Sequence, residues 1–402
     1  MEDSDAAPPE NLFRTGRHLK QTAGHRAFIP APLPPVPPVE ISTRTQQLLS
    51  QADLNLGRLD GSIQTLPNPD LFVFMYVKKE AVLSSQIEGT QSSLNDLLAA
   101  EANLLSARNP QDTDEVINYI NAMNHGLSRL RDLPFSLRLI REIHAVLLKN
   151  GRGTHMTPGE FRRSQNWIGP AGCSLANATF VPPPPGEIDR AMGNVETFWH
   201  SNLPLPALVK IALIHAQFET IHPFLDGNGR MGRLLITFFL CEQNILQKPV
   251  LYLSHYFKKN RDAYYTQLQS VRDTGNWEQW VEFFLHGIIE VSRQATATAR
   301  AILDLREKHR ALIPKHLTRI ASNAYQVLDL LYAHPIITIR DTCKTLGITY
   351  NAAGKIIQNF LKLGILRELT GYRRNRVFFH EPYIRLFDET SPAQNEKNEC
   401  PE

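Results

Sequence analysis

From Ile41 to about Arg306, apolar residues recur at three- and four-residue spacing, and this pattern predicts helix almost throughout. The longest such stretches are Leu205 to Ile221, Met231 to Asn244 and Trp277 to about Arg306, and an amphipathic one starts near Leu71. One interruption breaks the pattern. Phe161 to Val181 is rich in Gly, Asn and β-formers and runs into Pro182 to Pro185, which predicts an irregular hairpin ended by prolines, with the next helix opening near Glu187. Residues 1–40 hold few periodic apolar positions and close on a proline-rich run from Phe28 to Pro38. Proline fixes φ and lacks an N–H, so an extended polyproline arm is expected there.

After Pro314 the segments shorten. Asn323 to Ala333, Ile339 to Leu346 and Tyr350 to Leu363 each read as a helix, with turns at Gly347 and Gly364. Gly364 to Leu369 and Tyr372 to Phe379 then read as two short strands. The expectation is a mainly α protein: a helical core over 41–305, a winged-helix domain over 306–385 and a disordered polar tail over 386–402.

Composition narrows this little. The 402 residues are 42% hydrophobic and 21% charged, which excludes disorder throughout. The longest apolar run, Leu234 to Cys241, is broken by Thr237 and too short to span a bilayer. The N-terminus, Met1-Glu2-Asp3-Ser4-Asp5, is acidic where an export signal would be basic. A soluble, cytoplasmic protein with no membrane partner is expected. Cys173, Cys241, Cys343 and Cys400 lie far apart with no CxxC pair, against a zinc ribbon or a disulfide framework. Lys and Arg number 43 against 40 acidic residues, so any basic site must be local. One lies between Arg340 and Arg376, where Arg340, Lys344, Lys355, Lys362, Arg367, Arg373, Arg374 and Arg376 face only Asp341 and Glu368. Its base-edge candidates are Asn351, Lys355, Gln358 and Asn359, too few to support sequence readout. DNA or a protein partner, including a second copy in a homodimer, are the open readings.

The densest chemistry is His222-Pro223-Phe224-Leu225-Asp226-Gly227-Asn228-Gly229-Arg230-Met231-Gly232-Arg233, between two helical stretches. Two glycines within three residues allow positive φ and expose successive N–H groups beside the positive end of the next helix, an anion cradle. Arg230 and Arg233 share one helical face and can grip phosphate oxygens. Asp226 suits Mg²⁺, which binds through few carboxylates plus substrate phosphates. His222 can take a proton from an attacking hydroxyl.

The full string resembles the signature of the Fic family, and the resemblance covers roughly residues 41–290. It implies a Fic helical core with a β-hairpin flap and transfer of AMP from ATP to hydroxyl side chains of a protein target, itself included, with release of pyrophosphate. By that resemblance His222 is the base and Asp226 holds Mg²⁺ against the α and β phosphates. Gly227, Asn228 and Gly229 hold the α and β phosphates, Arg230 meets the β phosphate and Arg233 the γ phosphate, with Met231 and Gly232 inside the nucleotide-binding stretch. Ser84-Ser85-Gln86-Ile87-Glu88-Gly89 resembles the family's inhibitory motif. Ser84, Glu88 and Gly89 fill its fixed positions, and Glu88 would pair with Arg233 and bar the γ phosphate. Trp167 to Val181 occupies the place of the flap, whose edge registers the target by main-chain pairing. Tyr264 and Tyr265, in Arg261-Asp262-Ala263-Tyr264-Tyr265, resemble residues lining an adenine pocket, and Arg272 stands where some relatives carry Asn. His215 reads as packing. Two alternatives remain: removal of AMP at the same site, and a DNA-binding regulator whose nucleotide site is a sensor.

Overall fold

The computed structural model describes residues 14–387, except 23, 67, 92, 95–96, 98–109, 150–152, 171 and 372–373. The tail expected to be disordered therefore lies almost wholly outside the described residues, as does Arg373. Strands β1 (Gly16–Lys20) and β2 (Arg26–Pro30) precede helices α1 (Thr43–Gln64), α2 (Pro69–Ile87), α3 (Pro110–Arg129) and α4 (Leu137–Leu147). Helices α5 (Ile188–Trp199), α6 (Ala207–Ile221), α7 (Asn228–Glu242), α8 (Ser254–Lys259), α9 (Arg261–Thr274) and α10 (Trp277–His316) complete the core. The C-terminal part is α11 (Ala321–Ala333), β3 (Ile336–Thr338), α12 (Ile339–Leu346), α13 (Tyr350–Lys362), β4 (Arg367–Glu368), β5 (Val377–Phe379) and α14 (Glu381–Arg385). The mainly helical reading holds.

Local chemistry explains the helix starts. The Ser42 hydroxyl accepts the Thr45 N–H at 3.1 Å to cap α1, and the Asn68 side-chain Oδ1 accepts the Leu71 N–H at 3.0 Å to cap α2. On α1, Leu48, Leu49, Ala52, Leu56, Leu59 and Ile63 form one buried stripe laid along α10. Helix α6 is apolar around nearly its whole circumference, and so sits inside the core against α7. Helix α2 is also buried for most of its length, against α3 and α8.

The N-terminal arm departs from expectation. Residues 16–30 form an antiparallel hairpin in place of an extended polyproline segment, with His18 opposite Phe28. Ala27, Phe28 and Ile29 are buried, and the Phe28 N–H donates to the Val181 carbonyl at 2.9 Å. Three successive apolar residues cannot rest in water, and β pairing satisfies their backbone while they pack. The proline run that follows is pinned to the body: the Leu33 N–H donates to Asn194 at 2.7 Å and Gln217 donates to the Ala31 carbonyl at 2.8 Å.

Two boundaries also differ. Helix α10 runs unbroken through the expected division at 305/306, because Ile302, His309 and Ile313 keep one face buried and Pro314 falls in its last turn. The hairpin expected over 161–181 is reduced to one bridged pair, Ile168 with Phe180, plus a single 3₁₀ turn at Leu175–Asn177. The C-terminal sheet has the order β3-β5-β4, and β3, only three residues long, adds a strand to the two expected. Phe387 packs its ring 6.2 Å from Phe72 and 5.5 Å from Tyr76 on α2, so the C-terminal part shares the main core. Cys173, Cys241 and Cys343 are free. Among the described residues no helix is long and apolar enough to cross a membrane.

Candidate active site

His222 ends α6 in the left-handed region at φ 50°, its N–H still donating to the Phe218 carbonyl. A side chain there costs about 1–2 kcal/mol, so the surroundings must enforce the turn. Arg162 does so. Only 2% exposed, it donates to the carbonyls of His222 at 2.9 Å, Ser164 at 3.1 Å and Pro183 at 2.6 Å, and its own N–H donates to Pro223. Replacing Arg162 by Ala strands several buried acceptors, and urea unfolding is expected to show a loss of about 2–4 kcal/mol. An unchanged midpoint would refute this account of the turn.

The rest of the loop is equally determined. Asn228 accepts the Phe224 N–H at 2.9 Å and donates to the Phe224 carbonyl at 2.8 Å, closing the turn on itself. Gly227, at φ 76°, supplies the left-handed step that opens α7. His144 stacks on Phe224 at 3.6 Å. Its Nδ1 accepts the Gly159 N–H, so its Nε2 carries the proton given to the Asp226 carbonyl at 2.9 Å. Burial pushes this imidazole down to about 4, which suits a neutral strut.

The candidate anion face is assembled around the first turn of α7. Arg233, buried, donates from Nε to the Ser84 hydroxyl at 2.8 Å and from an Nη to the Ser84 carbonyl at 3.0 Å. The same Nη meets Glu88 Oε1 at 2.7 Å. Partial desolvation pushes the Glu88 carboxyl up, but the Arg233 guanidinium outweighs it and holds Glu88 below the usual carboxylate range. That carboxylate also lies against the start of α7: a Cβ added to Gly229 would sit 2.2 Å from Glu88 Oε1. Glycine is required at 229 for this approach. Arg230 donates to Glu115 on α3 at 3.2 Å and lies 3.8 Å from Asp226, while its buried Nε has no partner. Asp226 accepts the Gly227 N–H at 2.6 Å and leaves 41% of its side chain exposed. An open carboxylate, an orphaned guanidinium donor and a helix N-terminus fit a nucleotide phosphate chain. Among the described residues no group of three or more His, Cys, Asp or Glu could hold a metal alone, and a single carboxylate is what a phosphate-shared Mg²⁺ requires.

His222 is held in its neutral form. Burial first, then the Arg272 and Arg162 charges, lower its imidazole to about 4, against a smaller opposing pull from Glu88. It is neutral at physiological pH.

Several sequence candidates lie elsewhere. Met231 is fully buried in the core, and Gly232 faces α6, where its carbonyl accepts His215 Nδ1–H at 3.0 Å. Neither fronts the anion face. Asn228 offers that face a backbone N–H, its amide being spent on Phe224. Tyr264 is buried, stacked 4.4 Å from Phe257, with its hydroxyl on His215 Nε2 at 2.9 Å. Tyr265 is 40% exposed. His215 is the packing residue expected. Gly89, at φ 100°, turns the chain away after α2. Sequence reasoning missed Glu115, His144 and Arg162; each sits in an ordinary amphipathic or loop context, and no local pattern separates it from a surface charge or a core histidine.

Residues 46–128 match the Fic/DOC family N-terminal model and residues 134–240 the Fic/DOC family model. Residues 46–240 thus belong to the Fic/DOC family. The chain is similar to "Protein adenylyltransferase Fic" of Aedes aegypti, 32% identical over 197 residues, 48% of this chain and 35% of that protein. It is also similar to a probable protein adenylyltransferase of Aquifex aeolicus, 26% identical over 213 residues, 50% of this chain and 57% of that one. The chain thus spans about a third of the insect protein and just over half of the bacterial one. A Fic family protein from Desulfovibrio desulfuricans shares the fold, with a TM-score of 0.58 at 18% identity over 85% of this chain and 97% of its own.

Proposed function

We propose that the chain is a protein adenylyltransferase held in check by Glu88. The observation that carries this is the convergence of neutral His222, open Asp226 and the α7 N-terminus with Arg230 and Arg233. In this reading Arg230, Arg233 and the N–H groups at Gly227 to Gly229 orient the triphosphate of ATP. Asp226 would hold Mg²⁺, which when bound neutralises phosphate charge. His222 takes the proton from a Ser, Thr or Tyr hydroxyl, whose oxygen bonds to Pα as the Pα–O bond to pyrophosphate breaks. No covalent enzyme intermediate is needed. Intact-mass spectrometry of the Glu88→Gly protein after incubation with ATP and Mg²⁺ tests it: a gain of one or more adenylates, on itself or an added target, is expected. No gain refutes it.

A second reading, removal of AMP by water at the same site, is favoured by the Glu88 side chain, 37% exposed and able to orient a water. The two part on one variant, since Glu88→Gly would abolish removal and increase transfer.

We further propose that residues from about 317 to 385 form a winged-helix domain that docks protein rather than reading DNA. Of its basic residues, Arg367 is paired with Glu381 and Arg376 with Glu368. The exposed residues of α13 are Tyr350, Asn351, Lys355, Gln358 and Lys362, few of them suited to base edges. Duplex DNA is expected to bind no tighter than about micromolar at physiological salt, the range of non-specific contacts. A gel shift at nanomolar protein would overturn this.

A further inference from the structure

Arg272, on α9, touches both the flap and the last turn of α6 before His222. It is 8% exposed, and its three nitrogens are all engaged. Nε donates to the Thr220 hydroxyl at 3.2 Å, one Nη to the Glu219 carbonyl at 3.2 Å and the other to Gln269 at 3.3 Å. Thr220 and Glu219 form the last turn before His222. The guanidinium face lies 4.1 Å from the centroid of Phe180, the residue paired with Ile168 in the flap. On its other side Phe180 is backed by Phe28 of the N-terminal hairpin, ring centroids 5.8 Å apart. A cavity of about 270 Å³ between hairpin, flap and α9 has Arg272, Phe180, Arg26 and His18 in its wall. With three donors committed to the protein and no acceptor, Arg272 cannot offer a nucleobase the paired donor and acceptor that Asn would offer at this position.

We propose that Arg272 is a positioning residue of the transfer reaction, clamping the flap to the turn that carries His222, so that one side chain holds both the acceptor edge and the base. The inference rests on the transferase reading above. Planarity serves the flap, because only a flat guanidinium both stacks on Phe180 and forks to two acceptors. Charge serves the base. The charged groups facing His222 are Arg272 from α9, Arg162 from the segment before the flap and Glu88 from the end of α2. Glu219, one turn earlier, has its carboxyl raised to about 7 by burial. Two cations oppose protonation of the imidazole, and Arg272 is the larger influence of the two.

The test uses the full chain carrying Glu88→Gly, with self-modification from labelled ATP as the rate. Arg272→Met removes a positive charge from a neutral base, so the acid limb of the pH–rate profile should move up by about one pH unit. Amide exchange at Ile168 and Phe180, whose N–H groups form the flap bridge, should quicken in the same variant. Arg272→Lys keeps the charge without the plane, so it should hold the acid limb near that of the parent while the flap amides still exchange faster. A folded Arg272→Met protein with the parental acid limb, or with unchanged flap exchange, would overturn the inference and leave the transferase reading standing. A parent with no transfer at all would remove both.

Discussion

Glu88→Gly should raise adenylate transfer by about 5- to 150-fold, the range spanned when one competing contact biases a site by a few kcal/mol. The expectation rests on two contacts. In the proposed reading Glu88 occupies both features an incoming γ phosphate would need, the Arg233 guanidinium at 2.7 Å and the space over Gly229 at the head of α7. One guanidinium cannot give the same geometry to a carboxylate and a phosphate. Ser84 holds Arg233 from behind through two further hydrogen bonds, so removing Glu88 frees the arginine without loosening it. Glu88→Gln, which keeps the shape but not the charge, should fall between wild type and glycine. Mild acid should not imitate the mutation. Because Arg233 holds the Glu88 carboxyl below its usual range, the ion pair and the stability it adds persist above the ordinary glutamate range. Both fade only as pH falls through that lowered value. Labelled ATP and a folded variant that gains no label on protein would sink the prediction.

The loop from His222 to Arg233 was legible because its chemistry is local: glycines, a base, a carboxylate and two arginines stand within one turn and one helix start. Glu88 was legible only through resemblance, since nothing in an amphipathic helix announces that its end meets an arginine 145 positions later. Met231, Gly232 and Tyr264 were named through the resemblance, and the fold sets their side chains otherwise: Met231 is buried in the core, the Gly232 carbonyl meets His215, and the Tyr264 hydroxyl lies on His215. Arg162 and His144 reach the loop from outside it, and their roles exist only once the chain has folded. The N-terminal hairpin lay hidden behind its prolines. Arg17 to Lys20 and Arg26 to Ile29 do form two short runs about a glycine, yet the burial of Ala27, Phe28 and Ile29 depends on the flap and α6, distant partners that no window contains.

Loss of His222 should be the most severe single change. In the Glu88→Gly background, His222→Ala should cut transfer by about 10²- to 10⁴-fold, the usual worth of a positioned base, while nucleotide affinity stays near that of the parent because the phosphate clamp is untouched. Alanine is a poor probe by itself, however. Position 222 sits at φ 50°, and a Cβ residue with no local hydrogen bond to offer loses about 1–2 kcal/mol there. His222→Asn is the cleaner replacement, since asparagine tolerates the left-handed region and carries no basic nitrogen. Both variants should be inactive, with the asparagine protein melting closer to the parent. The parental rate should be flat across neutral pH, because His222, lowered to about 4, is neutral throughout that range, and should fall only as acid protonates the imidazole. If the asparagine variant, folded and nucleotide-bound, transfers adenylate at the parental rate, proton abstraction belongs to another group. Among the carboxyls near the loop, Glu219 would then be the first to test, its carboxyl raised to about 7 by burial and its Oε1 without a hydrogen-bond partner.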